Sequence, residues 1–253
     1  MTTPANPKEE GETLRIAKLM AQRGLCSRRE AEALIARRWV SVNGVVVEVP
    51  GTLVAPDAVI ELHPEAGKWL DQAVTILLNK PVGIVSGQPE DGYKAAIEII
   101  SQENQYRVNA NEPLFQPSHL QGLAPAGRLD IDSHGLLVLT QDGRIARQLI
   151  GEDSTIDKEY LVRVSGEVTK KALQLLNFGL QLDGKALRRA RVKLLEPGLL
   201  QFILREGKKR QIRRMCMLVG LEAINLKRVR IGKIRLGSLP YGQWRFLEKG
   251  EHF

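Results

Sequence analysis

Cysteine is nearly absent from this 253-residue chain: Cys26 and Cys216 are the only two, and they stand far apart. They form no CxxC pair, and with four histidines they make no zinc-ligand spacing. Two lone thiols fit a reducing compartment, so the cytoplasm is the expected location. Long apolar runs are missing too. None approaches the ~20 residues that cross a bilayer, and Met1 to Thr13 offers no apolar stretch for a signal peptide. Walker loops and GxGxxG fingerprints are also absent, so no nucleotide cofactor is expected. Acidic residues are short in supply: 29 Asp and Glu face 37 Lys and Arg, a net charge of +8. Such a balance favours a polyanionic partner such as nucleic acid or an anionic membrane, and without a membrane segment nucleic acid is the expected one.

What is present fits a folded protein of one or two domains. Hydrophobic residues make up 43% of the chain, enough for a sizeable core. Residues 1–12 are polar with two prolines and read as a flexible tail. Residues 13–62 read as one compact unit. Leu14, Ala17, Met20 and Ala21 follow a helical period that Gly24 ends. Ser27 with Glu30 is a capping box for a second helix, which turns Ala31, Leu34 and Ile35 inward. Alternating valines from Val40 to Val47 flank Asn43-Gly44, a strong hairpin signal. Arg28, Arg29, Arg37 and Arg38 fall on an outer face or edge, which reads equally as a solvated charged surface or as a phosphate contact.

Residues 63–73 read as a linker, and a larger domain spans 74–249. Val74–Leu78, Leu136–Thr140, Tyr160–Val164 and Leu200–Leu204 read as strands. Thr169 caps a helix carrying Leu173 and Leu176. Ile212, Met215, Cys216 and Val219 mark another helix, with Arg210, Arg213 and Arg214 on its other side beside Lys208 and Lys209. More basic residues follow, including Lys227 and Arg228. Residues 101–122 read as a long surface loop. Strands outnumber helices without alternating with them, so the expected class is α+β.

Two strings give this pattern a name. Cys26-Ser27-Arg28-Arg29-Glu30-Ala31 with Val40-Ser41-Val42-Asn43-Gly44 resembles the alpha-L RNA-binding domain, in which a basic helix face meets RNA phosphates. It departs at Arg37-Arg38-Trp39, where a glycine usually stands. In the larger domain, Gly127-Arg128-Leu129-Asp130 with Ser133 and Gly135-Leu136-Leu137 resembles the catalytic motif of the ribosomal RNA pseudouridine synthases, in the subgroup of RsuA and RluF. Asn79-Lys80-Pro81-Val82-Gly83, Lys158-Glu159-Tyr160 and Gln211-Ile212-Arg213-Arg214-Met215 resemble three further motifs, in the right order.

The resemblance implies a mixed, mainly antiparallel sheet flanked by helices, and a monomer that isomerises uridine to pseudouridine in ribosomal RNA. It leans toward the large-subunit RNA. No metal or other cofactor is implied. Asp130 would act at the sugar, as nucleophile or as base, on a uridine flipped from its stack. A buried carboxylate resists ionisation and a nearby cation restores it; the resemblance assigns that cation to Arg213. It also implies that Tyr160 stacks on the base and that Arg128 fills the gap left in the RNA. Lys80, Arg28, Arg29, Lys208, Lys209, Arg210, Arg214, Lys227 and Arg228 are the expected RNA contacts. Two alternatives stay open: a non-catalytic RNA-binding assembly factor, and a glycosidase-type hydrolase with Asp132 as its second carboxylate.

Overall fold

The computed structural model describes residues 12–89, 91–107, 112–151 and 153–253. The expected tail therefore lies almost wholly outside the described residues. Contacts divide the chain into two units: residues up to Ala73 with Asp142–Arg144, and Val74–Gln141 with Ile145–Phe253.

In the first unit, β1 (Leu14–Arg15) leads into α1 (Ile16–Gln22) and α2 (Arg28–Ala36). Between the helices Gly24 takes φ +75°, a conformation that costs glycine little. The capping box forms as expected, with the Ser27 side chain accepting from the Glu30 amide and Glu30 accepting from the Ser27 amide. β2 (Val40–Val42) and β3 (Val45–Val46) pair antiparallel around Asn43 and Gly44, both at positive φ. β4 (Leu53–Val54) pairs with β1, and β5 (Ile60–Leu62) with β2. Ile16, Met20, Ala31, Leu34, Ile35 and Val40 form the core. Arg38 itself adopts the left-handed φ of +61° at the point where the domain usually has glycine, a strain an L side chain tolerates singly.

The expected linker is a helix instead. α3 (Pro64–Asp71) buries Ala66 and Leu70 in this same core. Pro64 sits in its first turn, where a missing N–H costs nothing, so proline here starts structure and does not interrupt it.

The second unit carries a mixed sheet with strand order β12-β13-β9-β14-β8-β6-β16, plus two short additions. In chain order these elements are β6 (Thr75–Lys80), β7 (Ala124–Pro125), β8 (His134–Thr140), α4 (Gly143–Ile150) and β9 (Lys158–Ser165). Then come α5 (Lys170–Asn177), β10 (Gln181–Leu182), β11 (Lys185–Ala186), β12 (Arg191–Glu196) and β13 (Leu199–Leu204). α6 (Gln211–Leu218), β14 (Glu222–Ile231), β15 (Ile234–Arg235) and β16 (Trp244–Phe246) complete it. Among the described residues β8 and β14 pair parallel, and the other strand pairs of this sheet are antiparallel. Register places Tyr160 of β9 beside Arg228 of β14, and Arg228 beside Gly135 of β8. Gly135 stands at φ +103°, and a Cβ there would lie 2.3 Å from the Arg228 carbonyl oxygen. The glycine of the Gly135-Leu136-Leu137 string is thus required by the close passage of β14.

The expected loop at 101–122 has residues 108–111 outside the described set. Its described part is tied down. The Asn104 amide donates to the Ile99 and Gly242 carbonyls, Phe115 packs edge-on to Trp244, and Pro117–Leu120 makes a short 3-10 helix.

Candidate active site

Asp130 lies in the loop from Gly127 to Ser133, on the wall of a cavity of about 970 Å³ within the second unit. Each backbone carbonyl from Arg128 to Asp132 has a donor. The Arg128 carbonyl accepts from Arg228 Nη1 at 3.2 Å, and that of Leu129 from the Ser86 hydroxyl at 2.7 Å. The Asp130 carbonyl accepts from the Ser133 amide at 3.0 Å, and that of Ile131 from the Gly83 amide at 2.9 Å. The Asp132 carbonyl accepts from Arg213 Nη2 at 2.9 Å. Five consecutive carbonyls are therefore held by partners from four different segments. Against this rigid backbone, the half-buried Asp130 carboxylate makes no hydrogen bond or ion pair among the described residues. Such a loop fixes a side chain while leaving its charge available to a ligand.

Three expected RNA-facing or catalytic cations turn out to be parts of this scaffold. Lys80 is fully buried, and its ammonium donates to the Pro81 and Ile84 carbonyls at 2.8 and 2.7 Å. Burial pushes its pKa down to about 8, against the opposing pull of the Asp132 and Asp130 charges. Lys80 is therefore no phosphate contact; it is a buried positive charge within electrostatic reach of Asp130. Arg228 is 2% exposed. Its guanidinium bridges both sides of the loop by donating to the Leu136 and Arg128 carbonyls, and it approaches the Tyr160 ring at 6.0 Å. It lines the cavity but is not on a surface track. Arg213 does not pair with Asp130 as expected. It donates to the Ala223 carbonyl at 2.6 Å and to the Asp132 carbonyl, and forms an ion pair with the Asp132 carboxylate at 3.2 Å.

Asp132 also receives Arg210 through two hydrogen bonds, at 3.2 and 2.9 Å. Burial alone would raise the Asp132 pKa, but the Arg210 hydrogen bond and the charges of Arg213 and Arg210 outweigh it and hold the carboxyl below its usual range. A glycosidase acid needs the opposite shift, so Asp132 does not suit that role.

Tyr160 is buried on β9 and contributes to the cavity wall, as do Arg128, Lys208, Lys209 and Arg210. Arg128 and Lys209 are exposed there. Arg214 lies outside the cavity lining and pairs with Asp183 through both guanidinium nitrogens, at 2.6 and 3.0 Å. Lys227 is half-buried on β14 beside His134 and is outside the lining as well. The described parts of 101–122 contribute nothing to the cavity. Arg28 and Arg29 are exposed on α2 of the first unit. Ser86, which both donates to the Leu129 carbonyl and accepts from the Leu129 amide, escapes a reading from sequence. A lone serine in a loop carries no signal. Among the described residues, no helix is long and apolar enough to cross a membrane.

The loop thus presents one unpartnered carboxylate, among the described residues, in a cavity walled by Arg128, Lys208, Lys209 and Arg210, on a mixed sheet. The chain belongs to the RNA pseudouridylate synthase family, whose profile matches residues 74–218, while an S4 domain matches residues 14–60. It is similar to the dual-specificity RNA pseudouridine synthase RluF of Escherichia coli K12, with 34% identity over 94% of this chain and 77% of that protein. It is similar also to ribosomal large subunit pseudouridine synthase B of Bacillus subtilis strain 168, with 34% identity over 94% of this chain and 93% of the relative. A solved structure titled pseudouridylate synthase shares the fold, with a TM-score of 0.63 at 24% identity, over 93% of this chain and 96% of that one.

Proposed function

We propose that this chain converts one uridine of ribosomal RNA, in the large subunit, to pseudouridine, with Asp130 as the catalytic carboxylate. The observation that carries this reading is the Asp130 loop: five carbonyls pinned, one carboxylate free. The bond between N1 of uracil and C1′ of the ribose breaks, the base turns, and C5 bonds to C1′. C5 loses its proton and N1 gains one, so the reaction balances with no redox partner. Asp130 acts at the sugar, either by attack on C1′ or by taking a ribose proton. The target must leave its stack to reach the cavity. Tyr160 offers a π face to the extruded base, and the exposed Arg128 is placed to occupy the vacated space.

Lys80 and Arg210 supply the positive charge near the carboxylate. Arg213 becomes a positioning residue, because it holds the Asp132 carbonyl two residues from Asp130. Lys208, Lys209 and Arg210 at the rim suit phosphates of the RNA. The large-subunit assignment is supported by the likeness to the Bacillus subtilis relative, a ribosomal large subunit pseudouridine synthase. A monomer working in the cytoplasm without a cofactor is part of the same proposal. The test is Asp130→Asn. Turnover of a ribosomal RNA transcript should fall below detection while binding to the transcript stays within a few-fold of the parent. Normal turnover in that variant overturns the reading.

A further inference from the structure

We propose that Phe178 and Arg189 form a second RNA subsite, which stacks an unpaired nucleotide flanking the target. The proposal rests on the reading of this chain as an enzyme acting on RNA. A second cavity of about 460 Å³ is lined by Asp157, Phe178, Arg189, Arg191 and Arg205, among others. It shares Arg205 with the cavity around Asp130, whose wall also includes Arg188, the neighbour of Arg189. Arg205 therefore borders both spaces.

Phe178 follows α5 and is 58% exposed, and it has no place in the hydrophobic core. A single exposed aromatic is ordinary; its surroundings are not. The Arg189 guanidinium lies 4.6 Å from the ring centroid, which covers part of the ring with a flat cation. Arg189 has no carboxylate partner among the described residues. Arg191 and Arg205 both pair with Asp157. The cavity lining thus holds three arginines and one carboxylate, an excess of two positive charges beside the uncovered part of a π surface. Stacked bases and tracked phosphates call for this combination in single-stranded RNA. Duplex RNA keeps its base faces covered, so the occupant is unpaired.

The test uses the full chain and a fluorescein-labelled 20-nucleotide oligouridylate, read by anisotropy, with turnover measured on a large-subunit ribosomal RNA transcript. Phe178→Ala and Arg189→Ala should each weaken oligouridylate binding by roughly five- to a hundredfold, the range for one lost base stack. Phe178→Trp should restore it. On the transcript the loss should appear in KM. Phe178→Ala and Arg189→Ala proteins that bind the oligouridylate and use the transcript as well as the parent overturn the subsite while leaving the Asp130 reading intact. Loss of transcript turnover in Asp130→Asn, with oligouridylate binding retained, separates the two sites from the other side. A parent chain that binds neither RNA overturns both proposals. If Phe178→Ala fails to fold, Arg189→Ala carries the same test.

Discussion

Basic residues serve opposite ends in two regions of this molecule. On α2 of the first unit, Arg28 and Arg29 are exposed on a helix whose other face is core. Around the Asp130 loop of the second unit, Lys80 and Arg228 are buried and spend their donors on backbone carbonyls. The same side chains, read from sequence, look like one phosphate-binding set. The difference teaches that a cation's depth, and not its type, decides whether it stays open to a ligand or holds the Asp130 loop. Removing a buried cation should therefore damage folding and turnover. Removing an exposed one should damage only affinity.

The largest effect is expected at Arg228. Arg228→Met keeps much of the side-chain volume but leaves the Leu136 and Arg128 carbonyls without this donor. Each buried acceptor that loses its partner costs about 1–3 kcal/mol, so unfolding in urea should show a loss of about 2–5 kcal/mol. Turnover of the folded protein should drop by on the order of a hundredfold, since small misplacements of a catalytic group cost about that much. A variant with parental stability and a defect confined to KM would move Arg228 to the RNA-contact side and break the comparison.

The residues that were legible in the sequence are those whose surroundings are local. The Ser27 and Glu30 capping box and the Asn43-Gly44 turn involve neighbours a few positions apart, so the pattern and the structure agree. The Asp130 loop stands out through its string Gly127-Arg128-Leu129-Asp130, and the proposed role of Asp130 rests on that string and on the pinned backbone around it. The surroundings of Lys80, Arg213 and Arg228 are harder to read: Lys80 meets the nearby Pro81 and Ile84 carbonyls only because the sheet buries it, while Arg213 and Arg228 meet carbonyls far along the chain. Arg228 reaches carbonyls about a hundred positions away. A partial signal existed: a strand through Leu226 puts Arg228 on the same buried face by its period of two. The local density of charge hid it. Residues 63–73 are ambiguous for a similar reason: Pro64 and Gly67 fit a linker or a helix start according to whether Ala66 and Leu70 have a core to enter.

Lys80 gives a smaller effect with a distinctive sign. Its pKa is depressed from 10.5 to about 8, chiefly by burial. The unfolded chain holds that proton up to about pH 10.5, while the folded chain releases it near 8. The unfolded state thus binds more protons across this window, and this group's contribution to stability rises with pH. Turnover should run the other way, falling above pH 8 as the charge near Asp130 is lost. A pH series of urea midpoints and turnover rates on the parent and Lys80→Met checks this. In Lys80→Met both trends should disappear. An alkaline fall in turnover that survives in Lys80→Met would show that another group sets it.

The smallest effect is expected on the exposed side. Arg28→Gln with Arg29→Gln removes two charges from α2 and no buried contact, so the melting temperature should stay within a few degrees. The Kd for the ribosomal RNA transcript should rise. Because phosphate contacts release counterions, the slope of log affinity against log salt should become shallower by roughly 1–2. Turnover at saturating RNA should hold. The slope is the sharper measure, since a weakened fold lowers affinity at every salt concentration without changing it. An unchanged slope would mean that these arginines form only a solvated face, and that the RNA is held by the rim of the Asp130 cavity alone.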